Sequence, residues 1–203
     1  MRRLFVTGIG TDIGKTVVSA ILSEALEADY WKPIQCGELE STDSMRVLDW
    51  ISNNKTVIHQ ESYRLKGYMS PHAAAKLENI EINIESIVLP DINNTLIIEG
   101  AGGLMVPINN NALILDLIVH LDAEAIVVSE NYLGSINHSL LTLEVLKSRG
   151  VRIAGVIFNG DVNEKTESVI LEYSGAKLLG RISREKQVDS DMVSKYAAQF
   201  VNL

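Results

Sequence analysis

The chain holds a single cysteine, Cys36, among its 203 residues, which excludes an internal disulfide and fits a reducing compartment. No apolar run approaches the length of a membrane span; even Ala112–Leu121 is interrupted by Asp116 and His120. Positive charge is in deficit, with 18 Lys and Arg against 26 Asp and Glu and a formal net charge of −8. That balance argues against a broad nucleic-acid or acidic-membrane surface, but not against a nucleotide, which needs only a local cluster of positive groups. Arg2 and Arg3 precede too few apolar residues before Gly8 to form a signal-peptide core. Internal repeats, low-complexity tracts and Pro/Ser-rich linkers are missing as well. With 46% hydrophobic residues a full core is affordable, so one domain over 1–203 is expected, cytoplasmic, with no nucleic acid and no membrane as partner.

What is present begins at the N-terminus. The apolar run Leu4-Phe5-Val6 leads into Thr7-Gly8-Ile9-Gly10-Thr11-Asp12-Ile13-Gly14-Lys15-Thr16 and then into an amphipathic segment, Val17–Leu26. Strand, glycine-bearing loop and helix in that order make a phosphate-binding loop: backbone N–H groups wrap a polyphosphate and a helix N-terminus adds partial positive charge. Lys15 would reach the outer phosphates and the Thr16 hydroxyl would ligate Mg²⁺. The usual spacing puts a glycine five residues before Gly14, where this chain has Ile9.

Further along, apolar strand candidates (Leu4–Thr7, Tyr30–Pro33, Thr95–Glu99, Ala125–Ser129, Ile153–Phe158, Ala176–Arg181) alternate with segments of helical periodicity. Those helical segments are Val17–Leu26, Ser44–Ile51, Leu113–Leu121, Ile136–Lys147, Glu164–Tyr173 and Asp191–Val201. Strands that are apolar on both faces and separated by helices indicate an α/β fold, a mostly parallel sheet covered on both sides. Ligands then gather at the carboxyl ends of the strands.

Candidate site residues fall there: the loop after Thr7, the turn after Lys32, Glu99-Gly100, and Asn159 after Phe158. Four other constellations could carry chemistry. Leu96-Ile97-Ile98-Glu99 is an apolar strand ending in a carboxylate suited to a metal, and Gly100-Ala101-Gly102-Gly103 reads as a turn that lets backbone approach a ligand. Trp31-Lys32-Pro33 precedes Cys36-Gly37 and Asp43. Here Lys32 reads equally as a phosphate ligand or a solvated edge residue, and Asp43 as a metal ligand or a helix cap. Cys36 has no histidine near it in sequence and reads as inert. Ser70-Pro71 reads as a helix start, and His72 as a packed histidine in preference to a ligand contact. Gly134-Ser135-Ile136-Asn137-His138 opens a long helix; free N–H groups there suit a carboxylate, with a plain serine cap as the simpler reading.

Taken together and in this order, these motifs resemble the dethiobiotin synthetases. The likeness runs from Val6-Thr7-Gly8 through Lys32-Pro33, Ser70-Pro71-His72, Glu99-Gly100-Ala101-Gly102-Gly103, Val106-Pro107 and Asn137-His138 to Leu178-Leu179-Gly180. It implies a P-loop NTPase-like fold and an ATP-dependent cyclo-ligase that joins CO₂ (supplied as bicarbonate) to 7,8-diaminopelargonate. A carbamate and its phosphoryl anhydride would lie on the way to dethiobiotin, with ADP and phosphate released. By this resemblance Lys15, Lys32 and Thr11 are catalytic, and Asp12, Ile13, Gly14, Lys15, Thr16 and Asn159 hold the nucleotide. Thr16, Asp43 and Glu99 organise Mg²⁺, while Cys36, Gly102 and Gly103 border the substrate. It also implies a homodimer in which Ser135, Ile136 and Asn137 of one subunit meet the substrate carboxylate bound by the other.

Three positions depart from the family pattern. Ile9-Gly10 replaces a Thr-Asp pair, Cys36 replaces a serine, and Arg181-Ile182-Ser183 follows Gly180 in place of Glu-Ile-Pro, which implies a more open base pocket. Two other nucleotide-dependent classes fit less well. A partition- or metal-insertion-type switch carries a signature lysine early in the loop, where this chain has Ile9-Gly10-Thr11-Asp12. A GTP switch needs an Asn-Lys-x-Asp reader, and Asn159-Gly160-Asp161 lacks the lysine.

Overall fold

The computed structural model describes residues 1–203. In chain order the elements are β1 (Arg3–Gly8), α1 (Lys15–Leu26), β2 (Asp29–Trp31), β3 (Ile34–Cys36), α2 (Asp43–Trp50), β4 (Ile58–His59), β5 (Tyr63–Leu65) and α3 (Pro71–Leu77). After a short 3₁₀ turn follow β6 (Leu96–Gly103), α4 (Ile114–His120), β7 (Glu124–Glu130), α5 (Ser135–Ser148), β8 (Ile153–Asn159), α6 (Glu164–Ser174), β9 (Leu178–Ile182) and α7 (Ser190–Ala197).

Seven strands form one sheet in the order β4-β2-β6-β1-β7-β8-β9, every pair parallel. A separate parallel pair, β3 with β5, stands beside it. The period-two geometry of a strand explains the two cores. Phe5, Ile98, Val127 and Phe158 point to one face, among residues of α4, α5 and α6. Their neighbours Val6, Ile97, Ile126 and Ile157 point to the other, among residues of α1 and α7. Both faces are buried, which is why these strands read as continuous apolar runs rather than alternating ones. The expected fold class is thereby borne out.

The differences from expectation are local. β3, β4 and β5 are only two or three residues long, too short to show a period. The segment expected to turn after Glu99 stays in strand: β6 runs on to Gly103, with its register to β1 shifting between the pairs Val6–Glu99 and Gly8–Gly103. Glycines permit this because the space is already filled. A Cβ on Gly100 would lie 2.7 Å from Phe5, and one on Gly103 would lie 3.3 Å from the Gly8 carbonyl oxygen.

β1 lies at the point where the chain's path across the sheet changes direction, with β6 on one side and β7 on the other. Such switch points leave a crevice at the carboxyl ends of the strands.

A second irregularity holds the far side of the sheet. β8 shifts register near Gly155, whose φ is +154° and where a Cβ would stand 2.3 Å from the Lys177 carbonyl oxygen. Gly155→Ala is therefore expected to destabilise the fold by about 1–3 kcal/mol. Denaturant unfolding checks this; a midpoint equal to that of the parent chain would refute the close approach of β8 and β9.

Candidate active site

The loop between β1 and α1 is held from three directions. The Ile9 N–H donates to the Val128 carbonyl at 3.1 Å. The Ile9 side chain packs against both cores, so the apolar residue standing in place of a polar one acts as an anchor. Ile13 is buried against Gly8, at which a Cβ would come within 2.2 Å of the Ile13 Cδ1. The Asn159 side-chain amide donates to the Ile13 carbonyl at 2.9 Å. Asp12 and Gly14 adopt left-handed backbone, φ 58° and 87°, and the Gly14 carbonyl accepts from Val18 in the first turn of α1. Lys15 Nζ bends back to the Gly10 carbonyl at 2.9 Å.

Beside the loop, strand register assembles the charges. β2, β6 and β1 are neighbours; Trp31 pairs with Ile98, and Glu99 pairs with Val6. Lys32 and Glu99 therefore emerge at one level of the sheet, next to the start of α1. Glu99 is 1% exposed and its carboxylate is fully engaged. Oε2 accepts from the Tyr30 hydroxyl at 2.9 Å, and Oε1 from Lys32 Nζ and the Thr16 hydroxyl, each at 2.9 Å. Lys32 also bonds the Asp43 carboxylate, and Thr16 Oγ1 lies 3.0 Å from Asp43 Oδ1.

The titration behaviour follows from this packing. Burial acts to lower Lys32, but Glu99 and Asp43 outweigh it and hold the ammonium above its ordinary value. Asp43 is held below its ordinary value because Lys32, Thr16 and Arg46 outweigh its burial. Burial, helped by the neighbouring Lys32, brings Lys15 down to about 8 against the pull of Glu99. Burial pushes the Cys36 thiol up to about 11, in keeping with an inert side chain.

These groups line one cavity of about 570 Å³ that also takes in Thr11, Asp12, Gly14, Cys36 and Gly102. Several sequence expectations are corrected here. Lys32 is 5% exposed and is no solvated edge residue. Asp43 does not cap its helix, since the Thr42 hydroxyl accepts from the Met45 N–H at 3.2 Å. Gly103 lies outside the cavity, against the backbone of Gly8. Neither Ile13 nor Asn159 lines the cavity: Ile13 is buried, and the Asn159 amide is engaged with its carbonyl. Ser135 caps nothing: Gly134 is the cap residue of α5, and the Ser135 hydroxyl accepts from the Tyr132 N–H at 3.3 Å. Asn137 borders a separate surface groove with Leu141 and Tyr173, so within one chain Ser135–Asn137 do not meet the loop cavity. α3 does begin at Pro71, but the Ser70 hydroxyl turns to His72 Nδ1 at 3.0 Å.

Sequence reading missed Gln35 and Arg46, which also line the cavity. The Gln35 side-chain Oε1 accepts from the Asp43 N–H at 3.3 Å, and Arg46 pairs with Glu38 at 3.1 Å. Arg46 lies one helical turn after Asp43, a spacing that could have flagged it. Gln35 sits in a three-residue strand and carries no such sign.

The profile of a family described as AAA domain matches residues 2–191. A protein of Cytophaga hutchinsonii named ATP-dependent dethiobiotin synthetase is 50% identical over 98% of this chain and 97% of its own length. One of the same name from Christiangramia forsetii is 50% identical over 97% of this chain and 94% of its own. The chain belongs to the dethiobiotin synthetase family. Among solved structures, a ParA family ATPase from Chlorobium tepidum aligns with a TM-score of 0.60 over 98% of this chain and 99% of its own, at 15% identity. The MinD protein of Pyrococcus horikoshii, solved with Mg-ADP, aligns with a TM-score of 0.60 over 97% and 94%, also at 15% identity. Those two likenesses show the shared P-loop fold and leave the activity to the synthetase relatives.

A synthetase loop built this way makes unequal demands on its glycines. Gly14→Ala meets both the left-handed backbone and the Asn159 amide, 2.2 Å from the added Cβ, whereas Gly10 faces open space without positive φ. Thermal unfolding should show a loss of about 1–2 kcal/mol for Gly14→Ala and a change within about 0.5 kcal/mol for Gly10→Ala. Equal stabilities would contradict this loop conformation.

Proposed function

We propose that the cavity carries out ATP-dependent ring closure of 7,8-diaminopelargonate with CO₂ to dethiobiotin, and that the chain, 1–203, does so as one domain. The observation that carries this reading is the convergence of Lys15, Thr16, Lys32, Asp43 and Glu99 in one cavity at the foot of a phosphate loop.

Thr16, Asp43 and Glu99 form an all-oxygen donor set of the kind a hard divalent cation takes. No group of three or more His, Cys, Asp or Glu side chains placed to hold a metal ion is present. Mg²⁺ held by these residues would therefore draw its remaining ligands from phosphate and water. When bound, it would supply charge neutralisation to the phosphates.

The chain's own residues then divide the work. Backbone N–H groups between Gly10 and Thr16 wrap the phosphates, and α1 adds its N-terminal partial charge. Lys15, freed from the Gly10 carbonyl, reaches the outer phosphates. Thr11, Asp12, Cys36 and Gly102 border the diamine. One amine takes up CO₂ as a carbamate, whose oxygen is a poor leaving group until phosphorylated. Lys32 offsets the charge that develops as the phosphoryl group passes to the carbamate. The second amine attacks the carbamoyl carbon, expels phosphate and closes the ring. Asn159 lies beside the loop as a base contact, with the Arg181 segment next to it in the sheet. Cys36 offers a weaker hydrogen bond than a serine would at that wall.

With ATP, Mg²⁺, bicarbonate and 7,8-diaminopelargonate, the purified protein should form dethiobiotin, ADP and phosphate in equal amounts, read by mass spectrometry and phosphate release. ATP turnover indifferent to the diamine, with no ring-closed product, would overturn the assignment. Lys15→Ala should lose both nucleotide binding and turnover. Lys32→Ala should lose chiefly turnover, by on the order of 10²-fold.

The homodimer belongs to the same proposal. Exposed Leu133 just precedes α5 and exposed Ile136 and Leu141 lie within it, and a two-fold interface there would carry Ser135–Asn137 toward the partner's cavity. The free N–H groups at that helix start would hold the substrate carboxylate. Lys15→Ala and Asn137→Asp should each be nearly inactive, and subunit exchange between them should restore roughly a quarter of the parent activity, as random two-fold pairing requires. Heterodimers in native mass spectrometry without recovered activity would show that each site is built within one chain.

A further inference from the structure

Lys32 holds the oxygens that a divalent ion at this site would need. Its Nζ bonds Asp43 Oδ2 and lies 2.9 Å from Glu99 Oε1. That same Oε1 accepts from the Thr16 hydroxyl, which also reaches Asp43 Oδ1. The ammonium is not a loose surface charge: Lys32 is 5% exposed, it directly follows β2, and Pro33 restricts the backbone just after it.

Lys15, Lys32, Asp43 and Glu99 line one cavity, and with both lysines and both carboxylates ionised these four form a neutral group. Arg46 and Glu38 on the wall pair with each other, and Asp12 in the loop is the remaining charge. A divalent ion arriving alone would leave that group of four with an excess of two positive charges in a buried space. It would also strip Lys32 of both its partners, and a buried charge without a partner is costly. The other carboxylates on the cavity wall are poor substitutes, because Glu38 is already paired with Arg46 and Asp12 belongs to the loop itself. A polyphosphate removes both obstacles: it brings negative charge, further oxygen ligands for the ion, and a new partner for the displaced ammonium.

We infer that Lys32 is a tethered cation that keeps a free divalent ion off Thr16, Asp43 and Glu99 and admits one only together with a polyphosphate. Lys32 is thus a positioning residue for the metal and sets the order in which metal and nucleotide enter, in addition to its charge role in phosphoryl transfer. The inference rests on the metal-binding reading of the same three residues.

Protein-bound Mn²⁺, measured by equilibrium dialysis as a stand-in for Mg²⁺, tests it without any turnover. The parent protein should retain Mn²⁺ in the presence of ADP and little in its absence. Lys32→Met should retain Mn²⁺ without nucleotide, with affinity raised about tenfold or more by loss of the neighbouring charge. That gain should vanish in the double variant Lys32→Met, Asp43→Asn. Retention by the parent protein that is as tight without ADP as with it would overturn the inference while leaving the metal site standing. That comparison needs no variant, and so keeps the inference open to refutation even if Lys32→Met fails to fold. A folded Lys32→Met that gains no nucleotide-independent retention overturns it equally. Absence of retention even with ADP would overturn the metal site itself, and the inference with it.

Discussion

The buried carboxylate of Glu99 is the group around which the rest of this site is arranged. A charge that is 1% exposed persists only if it is paired and hydrogen-bonded. Glu99 gains that support from three side chains, Tyr30 and Lys32 from the β2 region and Thr16 from the first turn of α1. Each partner is thereby fixed in turn. Thr16 sets where α1 begins relative to β6, and Lys32 draws in Asp43 and with it the start of α2. The parallel register of β2, β6 and β1 keeps the donors at one level.

The same requirement ties structure to chemistry. Side chains that satisfy one another across the cavity are also those suited to a polyphosphate and its metal, so under the proposed function binding would be an exchange of partners rather than the building of a site. Lys15 would give up a backbone carbonyl, and Lys32 would give up carboxylates. Both contacts are electrostatic and lie in a space shielded from water, where charge complementarity acts strongly. The loop meanwhile stays held by contacts that do not touch the phosphates: Ile9 and Ile13 in the cores, and the Asn159 amide on the Ile13 carbonyl.

Family membership and fold likeness answer different questions here. The P-loop fold is shared with a ParA family ATPase and a MinD protein at 15% identity. Synthetase relatives at 50% identity cover nearly the whole chain. A fold supports many chemistries, and the activity is written in the residues placed at the carboxyl ends of its strands.

Much of that was legible in the one-dimensional chain. Long strands buried on both faces announce themselves as apolar runs, and helices by their period, so the class of fold follows from burial alone. The phosphate loop and the Glu99 carboxylate at the end of its apolar run were equally plain, because each is a local pattern whose chemistry depends on neighbours in sequence. Three kinds of feature were decided only in three dimensions. Strands of two or three residues have no period to read, so β3, β4 and β5, and Gln35 with them, stayed hidden. The glycines after Glu99 remain in strand because Phe5 and the Gly8 backbone occupy the space beside them, a packing fact and not a propensity. Whether Lys32 was a solvated edge lysine or a buried ion-pair partner turned on the register of β2 against β6. Sequence spacing cannot supply that register, because Lys32 and Glu99 come together only when the sheet closes between them.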